Sequence, residues 1–340
     1  MAPQSARLST RARSELPPCV YHRDYSVPDW PPNHRFVMSK FRDLRHVLQE
    51  QHVLEADEEH VPEMDRGASE FELCLAHDQE YVRRFLQNEL TAEEMRAIGF
   101  TWSEALVRRT RLEVAGTVLA SRLALHHGMA CHLAGGTHHA SAGAGAGFTI
   151  LNDMAVAAIL MLEELLVSRM LILDLDVHQG DGSARMLKDN PRVFTCSVHC
   201  ADNYPLRKAT SDLDIPLPAG TRDAEYMDCI QRYLPDLLGS IKPDLVLYDA
   251  GVDVCEHDRL GKLKLTEQGI YERDAFVLSA CAQRGIPVVT VIGGGYDERW
   301  ALARRHAIVH YAALDMWQKY IHKERNGAHA KPRLTWKPMS

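Results

Sequence analysis

The chain has 340 residues, 46% of them hydrophobic, and a formal net charge of −7, which is enough for one large α/β domain with a sizeable core. Both signs of charge are spread without a basic block in the body of the chain, so tight nucleic-acid binding is not expected. No run of about 18 apolar residues exists, which excludes a predicted membrane span, and the eight scattered cysteines favour a reducing compartment.

Both ends of the chain are predicted to lie outside the domain. Residues 1–17 are predicted to be a disordered start or a targeting segment, because the first 14 carry arginines with Ser and Thr but no acid. Residues 323–340 are basic and polar and are predicted to be a flexible tail. The expected location is cytoplasmic or nuclear, with organellar import as the alternative.

Apolar runs alternate with longer helical patterns between these ends, which predicts an α/β fold with a parallel sheet covered on both faces. The predicted strands are 18–22, 128–134, 169–176, 193–199, 244–250 and 286–292. The predicted helices are 112–126, 152–166, 224–241, 266–284 and 297–320. Residues 50–75 are predicted to be an irregular surface loop whose acids, Asp57, Glu58, Glu59, Glu63 and Asp65, are solvated.

Polar groups cluster where the predicted strands end. In an open parallel sheet, ligands bind beyond the carboxyl ends of the strands. Segments 135–139 (GGTHH), 174–182 (DLDVHQGDG), 250–253 (AGVD) and 293–296 (GGGY) all occupy such positions. The sequence therefore predicts one site assembled from several strand ends.

A metal site is predicted from segment 174–182. Side chains two residues apart on a strand share a face, so Asp174, Asp176 and His178 point the same way. A third ligand is expected from Asp253. Such a residue alone is more often a helix cap or a loop carboxylate, but its position directly after a predicted strand favours a ligand. An Asp-His-Asp set suits zinc and leaves a position for water, and it does not exclude ferrous iron.

Hydrolysis of an amide also needs proton transfer, for which His138 and His139 are the candidates. Asp174 and Asp181 are expected to orient their other ring nitrogens. Tyr296 is the candidate oxyanion donor. Phe148 and Tyr204 are predicted as walls of an apolar tunnel, with ordinary core packing as the alternative.

Taken together, these motifs, with Gly147 and Phe148 and with segment 258–261 (DRLG), resemble the zinc-dependent histone deacetylase family over roughly residues 18–320. Leu175 and Gln179 resemble the class IV branch and its bacterial relatives. The resemblance implies an arginase/deacetylase fold, with a central, mostly parallel sheet of about eight strands, and a catalytic domain over 18–322.

The resemblance also assigns residues and ions. Zinc falls to Asp176, His178 and Asp253, and acid/base catalysis to His138 and His139 with Asp174 and Asp181 behind them. Tyr296 would polarise the carbonyl. A structural potassium ion would use Asp174, Asp176, His178, Ser197 and Val198. The substrate would contact Gly147, Phe148, Tyr204 and Leu260, with Arg35 at an internal acetate-release pocket.

Four functions follow as hypotheses. The first is hydrolysis of Nε-acyl-lysine in proteins, histones or others, carrying acetyl or longer acyl groups, with chromatin regulation or a multiprotein complex as context. The second is hydrolysis of an acetylpolyamine or another small amide. The third is a non-catalytic acyl-lysine binder or corepressor. A binuclear amidinohydrolase is disfavoured because Gln179 and Gly180 follow His178 without further acidic ligands.

Overall fold

The computed structural model describes residues 15–55, 59–62 and 67–322. The flexible tail predicted for 323–340 lies outside the described residues, as does most of the start predicted for 1–17. Asp57, Glu58, Glu63 and Asp65 of the predicted acidic loop also fall outside them. None of the described helices combines the length and apolar character needed to cross a membrane.

Eight parallel strands form one central sheet within the described residues. Their bounds are β1 Cys19–Val20, β2 Glu59–His60, β3 Met129–His132, β4 Met170–Asp174, β5 Val193–Cys200, β6 Leu213–Leu217, β7 Leu245–Asp249 and β8 Val288–Val291. Their order across the sheet is β2-β1-β3-β8-β7-β4-β5-β6. The predicted α/β fold with about eight mostly parallel strands is confirmed.

Helices cover the sheet. Their bounds are α1 Lys40–Glu50, α2 Glu70–Cys74, α3 Gln79–Leu86, α4 Ala92–Ile98, α5 Glu104–His127, α6 Asp153–Glu163, α7 Asp181–Leu187, α8 Asp223–Ile241, α9 Glu267–Ala282 and α10 Arg299–Met316. Each of the five predicted helices overlaps one of these. Helix α5 begins eight residues before its predicted start, with Ser103 accepting a hydrogen bond from the N–H of Leu106 as an N-cap.

The central strands are apolar along their length because helices bury both faces of a parallel sheet. β4 (MLILD) and β7 (LVLYD) are buried at every position and end in carboxylates. The register pairs Asp174 at the end of β4 with Ser197 on β5 and with Asp249 at the end of β7. The sheet thus brings chemically active side chains together at one edge.

Two strands were not predicted. β2 lies inside the region predicted as an irregular loop and has only two residues, both polar and half-buried. β6 is an edge strand that contains Asp214 and Pro216, and most of it is only half-buried. Edge strands lack the continuous apolar run that identified the other six.

Candidate active site

The polar segments that follow β3, β4, β7 and β8 converge at the carboxyl edge of the sheet, as predicted. At their centre is a cluster of Asp176, His178 and Asp253, whose candidate ligand atoms lie within 4.8 Å of one another. Nδ1 of His178 lies 3.0 Å from Oδ1 of Asp176 and 3.0 Å from Oδ2 of Asp253. All three side chains are buried.

The remaining atoms of this cluster are held by the backbone. Oδ1 of Asp253 accepts a hydrogen bond from the N–H of Val177, and Oδ2 of Asp176 accepts one from Gly294. Oδ2 of Asp253 is buried and close to Nδ1 of His178, but it is not in hydrogen-bond geometry with that nitrogen or with any other described residue. A divalent cation would satisfy two carboxylates and an imidazole turned toward one point. The donor set therefore fits zinc.

The loop after β8 approaches these carboxylates so closely that it requires glycine. A Cβ atom on Gly294 would lie 2.2 Å from Oδ2 of Asp253 and 2.6 Å from Oδ2 of Asp176. Any larger residue would displace a candidate ligand. This explains why glycine precedes Gly295 and Tyr296 in the 293–296 motif.

Two histidine–aspartate pairs lie beside the cluster. Nδ1 of His138 is 2.8 Å from Oδ2 of Asp174, and Nδ1 of His139 is 2.8 Å from Oδ1 of Asp181. The two Nε2 atoms face each other at 3.2 Å. Asp181 is itself bound by Arg185. The structure thus places all four residues in the pairing predicted from the sequence.

The two imidazoles differ in their affinity for protons. Burial lowers the pKa of His139 to about 3, and the neighbouring His138 adds to this effect. Burial also acts to lower the pKa of His138, but Asp174 and Asp176 outweigh it and hold that pKa well above its ordinary value. The carboxylates therefore favour a proton on His138, whereas Nε2 of His139 stays unprotonated and faces Nε2 of His138.

Tyr296 lies across the cluster from the histidines, with its ring centroid 6.1 Å from that of His178. Its backbone N–H donates to Oδ2 of Asp258 at 2.7 Å. Burial and the carboxylates of Asp253 and Asp176 raise the pKa of the phenol well above its ordinary value. The hydroxyl therefore keeps its proton and remains a hydrogen-bond donor.

A cavity of about 30 Å³ opens between these groups. His138, His139, Asp176 and Tyr296 contribute to its wall, as do Gly147 and Phe148. Phe148 adopts a left-handed backbone with φ of 66°, and its N–H is held by the carbonyl of Ile98 at 2.8 Å. Such a conformation is unusual for a large side chain and fixes the ring at the cavity.

The predicted location of Arg35 is wrong. Arg35 is exposed and does not line the cavity, because Phe36 and Met38 turn inward on this segment and leave Arg35 facing solvent. The cations of the cavity wall are instead Lys40 and Arg109. Arg109 pairs with buried Glu113 at 2.7 Å, and Lys40 donates to the carbonyl of Gly293 at 3.1 Å. Burial lowers the pKa of Lys40 to about 8.

Tyr204 and Leu260 lie outside this cavity. The Tyr204 ring is 44% exposed and meets His139 edge-on, with the ring centroids 4.9 Å apart. Leu260 is half-buried, and its carbonyl accepts a hydrogen bond from Nδ2 of Asn203, which also lies 3.5 Å from Nε2 of His178. Both residues therefore border the approach to the cluster rather than its interior.

Sequence reasoning missed several buried groups that support the site. Asp153 accepts hydrogen bonds from the backbone N–H groups of Gly136 and Thr137, which orients the loop that carries the two histidines. Arg273 donates to the carbonyls of Leu175 and Gly251. These residues begin or lie within predicted helices, and nothing in the sequence showed which helical charges face inward.

Asp249 is a further buried carboxylate that the sequence analysis did not use. Its Oδ2 lies 3.7 Å from Nδ1 of His138, and neither oxygen makes a hydrogen bond within the part of the chain that the structure describes. Burial and the nearby Asp174 raise its pKa well above the ordinary value. The sequence signal that could have identified Asp249 is its position as the last residue of β7, where it pairs with Asp174.

The residues predicted to hold potassium lie behind the cluster. Ser197 and Val198 are buried on β5, and Ser197 is in register with Asp174. The side-chain hydroxyl of Ser197 lies 3.0 Å from Nδ1 of His199. A potassium ion at this position stays a prediction.

Comparison with known proteins gives one family. Residues 34–312 match the model of the histone deacetylase domain. An uncharacterized protein of Picosynechococcus is 48% identical over 88% of this chain and 99% of its own length. Histone deacetylase 2 of Arabidopsis thaliana is 31% identical over 67% of this chain and 62% of its own length.

Two further similarities agree with this result. The acetoin utilization protein AcuC of Bacillus subtilis is 32% identical over 68% of this chain and 66% of its own length. The crystal structure of the HDA15 HD domain superposes with a TM-score of 0.74, covering 88% of this chain and 89% of that chain at 22% identity. At that identity the structural match supports the fold.

Proposed function

We propose that this chain, which belongs to the histone deacetylase family, removes acyl groups from the Nε atom of lysine in proteins. Membership of this family supports deacetylation by hydrolysis. The observation that carries this proposal is the pairing of two His–Asp dyads with an Asp-His-Asp cluster at one small cavity. Proton transfer by the histidines and carbonyl polarisation by a metal would both accelerate hydrolysis of an unactivated amide.

Asp176, His178 and Asp253 are the residues that would hold zinc. When bound there, zinc supplies Lewis-acid polarisation of the amide carbonyl and makes water more acidic. Nε2 of His139 is placed to take the proton from water, since its Nδ1–H is directed at Asp181. His138, held as a cation by Asp174, faces Nε2 of His139 and favours the return of that proton to the leaving lysine nitrogen.

Tyr296 is proposed to donate its hydroxyl proton in a hydrogen bond to the oxyanion that develops on the carbonyl. Loss of one such donor costs roughly 10²–10³ in kcat. We expect Tyr296→Phe to lose activity to this extent while its zinc content stays at the wild-type level. Tyr233→Phe is the control, because Tyr233 is 42% exposed on α8. Full activity in Tyr296→Phe would remove the hydroxyl from the mechanism.

The dimensions of the cavity favour a short acyl group. A volume of about 30 Å³ holds roughly two water molecules, and the charged groups of Lys40, Arg109 and Glu113 line it. A long aliphatic chain would have to displace buried charges, which is costly. We propose acetyl as the preferred group, with Phe148 packing against the lysine methylenes.

Turnover on four substrates tests the proposal: one lysine peptide carrying acetyl, octanoyl or myristoyl, and an acetylated polyamine. We expect turnover of the acetyl peptide, which a chelator abolishes and added zinc restores. Preference for the myristoyl peptide would refute the size argument. Turnover of the polyamine alone would assign a small-molecule amidohydrolase, and silence on all four with zinc bound would assign a binding protein.

A further inference from the structure

A second cluster of metal-ligating side chains lies on a different part of the sheet. Cys19 on β1, Cys131 on β3 and His310 on α10 bring two sulfur atoms and one ring nitrogen within 4.8 Å of one another. None of these residues belongs to the segments that form the candidate active site. All three are buried, with exposed fractions of 2%, 0% and 1%.

The fold places these groups together through strand register. β1 and β3 are parallel neighbours in which Cys19 pairs with Cys131, and β3 and β8 are neighbours in which Cys131 pairs with Thr290. Residues that pair in register project from the same face of a sheet. The two thiols and the Thr290 hydroxyl therefore form a row on one face, and His310 of α10 reaches the same cluster.

Two of these polar groups lack a well-formed hydrogen bond. Within the described ranges, the ring nitrogens of His310 and the hydroxyl of Thr290 meet no partner except the thiol of Cys131, a weak hydrogen-bonding group that belongs to the same cluster. Buried polar atoms are nearly always satisfied, because leaving one unpaired costs free energy. An apolar residue would fill these positions without that cost, so the arrangement points to a ligand.

We propose that Cys19, Cys131 and His310 bind a zinc ion that is distinct from the ion of the active site. Soft thiolates with one imidazole are a preferred donor set for zinc. Around tetrahedral zinc, the ligand atoms lie roughly 3.5–3.8 Å apart, as follows from Zn–S and Zn–N distances of about 2.3 and 2.0 Å. The observed cluster therefore needs only small movements to close on the ion.

The charges of this site balance. Binding releases the two thiol protons to solvent, and two thiolates with Zn²⁺ and a neutral imidazole carry no net charge. A neutral site is compatible with complete burial, whereas an isolated charge is not. The hydroxyl oxygen of Thr290, adjacent to Cys131, is the candidate for the fourth position.

The consequence is a link between α10 and the sheet. α10 begins at Arg299, three residues after Tyr296, and packs on α1 and α9 as well as on β3. A metal bridge from His310 to β1 and β3 would fix this helix on the strands beneath it. The ion would therefore act in stability rather than in the hydrolytic reaction.

Cobalt substitution separates the two sites, because Asp176, His178 and Asp253 offer only oxygen and nitrogen atoms. A thiolate-to-cobalt charge-transfer band in the near ultraviolet can arise only from a cysteine site. We expect the metal-stripped full chain to take up two Co²⁺ ions and to show this band. Asp253→Asn should bind one Co²⁺ and keep the band, whether or not the hydrolase proposal holds.

Cysteine variants assign the band. Cys131→Ser should lose it, and Cys196→Ser should keep it, since Cys196 is also buried, on β5, but does not belong to the cluster. Should Cys131→Ser prove insoluble, the wild-type protein and Asp253→Asn still decide, because absence of the band in both overturns the proposal. A Cys19–Cys131 disulfide in protein purified without reductant would also overturn it.

Discussion

Acidification should destabilise the protein through His77, a buried histidine that the hydrogen-bond geometry holds neutral. Its Nε2 accepts a hydrogen bond from the backbone N–H of Asn152 at 2.9 Å, and its Nδ1 lies 3.1 Å from the carbonyl of Ala142. A neutral ring satisfies both neighbours, with Nδ1 protonated and Nε2 free. Protonation of Nε2 would bring its N–H against the backbone N–H of Asn152, so that two hydrogen-bond donors would face each other in a buried position.

The magnitude follows from the pKa. Burial lowers the pKa of His77 from 6.5 to about 4 in the folded protein. Because the folded pKa is lower than the unfolded one, the unfolded chain binds the extra proton first, and the stabilisation present above pH 6.5 is lost as the pH falls toward 4. A difference of about 2.5 pKa units corresponds to about 3 kcal/mol between pH 7 and pH 4.

Urea unfolding at several pH values between 7 and 4, followed by circular dichroism and fluorescence together, measures this loss. Other buried histidines also contribute, so the informative quantity is the difference in free energy of unfolding between wild type and His77→Gln. That difference should shrink by about 3 kcal/mol on acidification, whereas exposed His257 replaced by glutamine should give no such change. A difference that is independent of pH would refute the reasoning.

Three other substitutions test the supporting residues. Asp153→Asn replaces one of the carboxylate oxygens that accept hydrogen bonds from the loop carrying the two histidines. We expect kcat/KM to fall roughly 10- to 100-fold, as for other residues that orient ligands. The zinc content, measured by elemental analysis, should be unchanged. Arg273→Met removes the cationic partner of buried Asp274, which lies 2.9 Å away, and leaves it only the hydroxyl of Tyr248. Chemical denaturation should show a loss of about 3–5 kcal/mol. Phe148→Ala should raise KM for the acetyl peptide roughly 10- to 100-fold, because it removes about 1.5–3 kcal/mol of aromatic packing. An unchanged KM in steady-state assays would exclude contact between Phe148 and the lysine.

The sequence predicted the six apolar strands and the residues at their carboxyl ends because both have short-range signals. A continuous apolar run identifies a buried strand, and polar residues directly after it identify the edge where ligands bind. Asp176 and His178 follow β4, and Asp253 follows β7. These residues are up to 77 positions apart in the chain, yet this rule alone predicted that they lie together. The paired histidines and carboxylates followed in the same way.

The buried charges in the cavity wall had no such short-range signal in the sequence. Lys40 begins α1, and Arg109 and Glu113 lie within α5 at a spacing that normally indicates an exposed ion pair. Only the packing of these helices against the loop at Gly293 buries the charges. Arg35 was assigned by resemblance to an internal acetate-release pocket, but Phe36 turns inward and leaves Arg35 exposed, outside this cavity.

The order of the strands also determines how much of the chain must be synthesised before the sheet that carries the candidate active site can form. β3 and β4 follow each other along the chain, but β8 and β7 separate them in the sheet. β3 can pair at once with β1, but its second partner, β8, comes about 160 residues later, as the pairing of Met129 with Val288 shows. Pairings of such long range fold slowly and leave strand edges exposed in partly made chains. A ribosome-bound chain that ends before β8 therefore holds both histidines and all three candidate metal ligands, yet lacks the strand that joins β3 to β7 in the sheet that supports them.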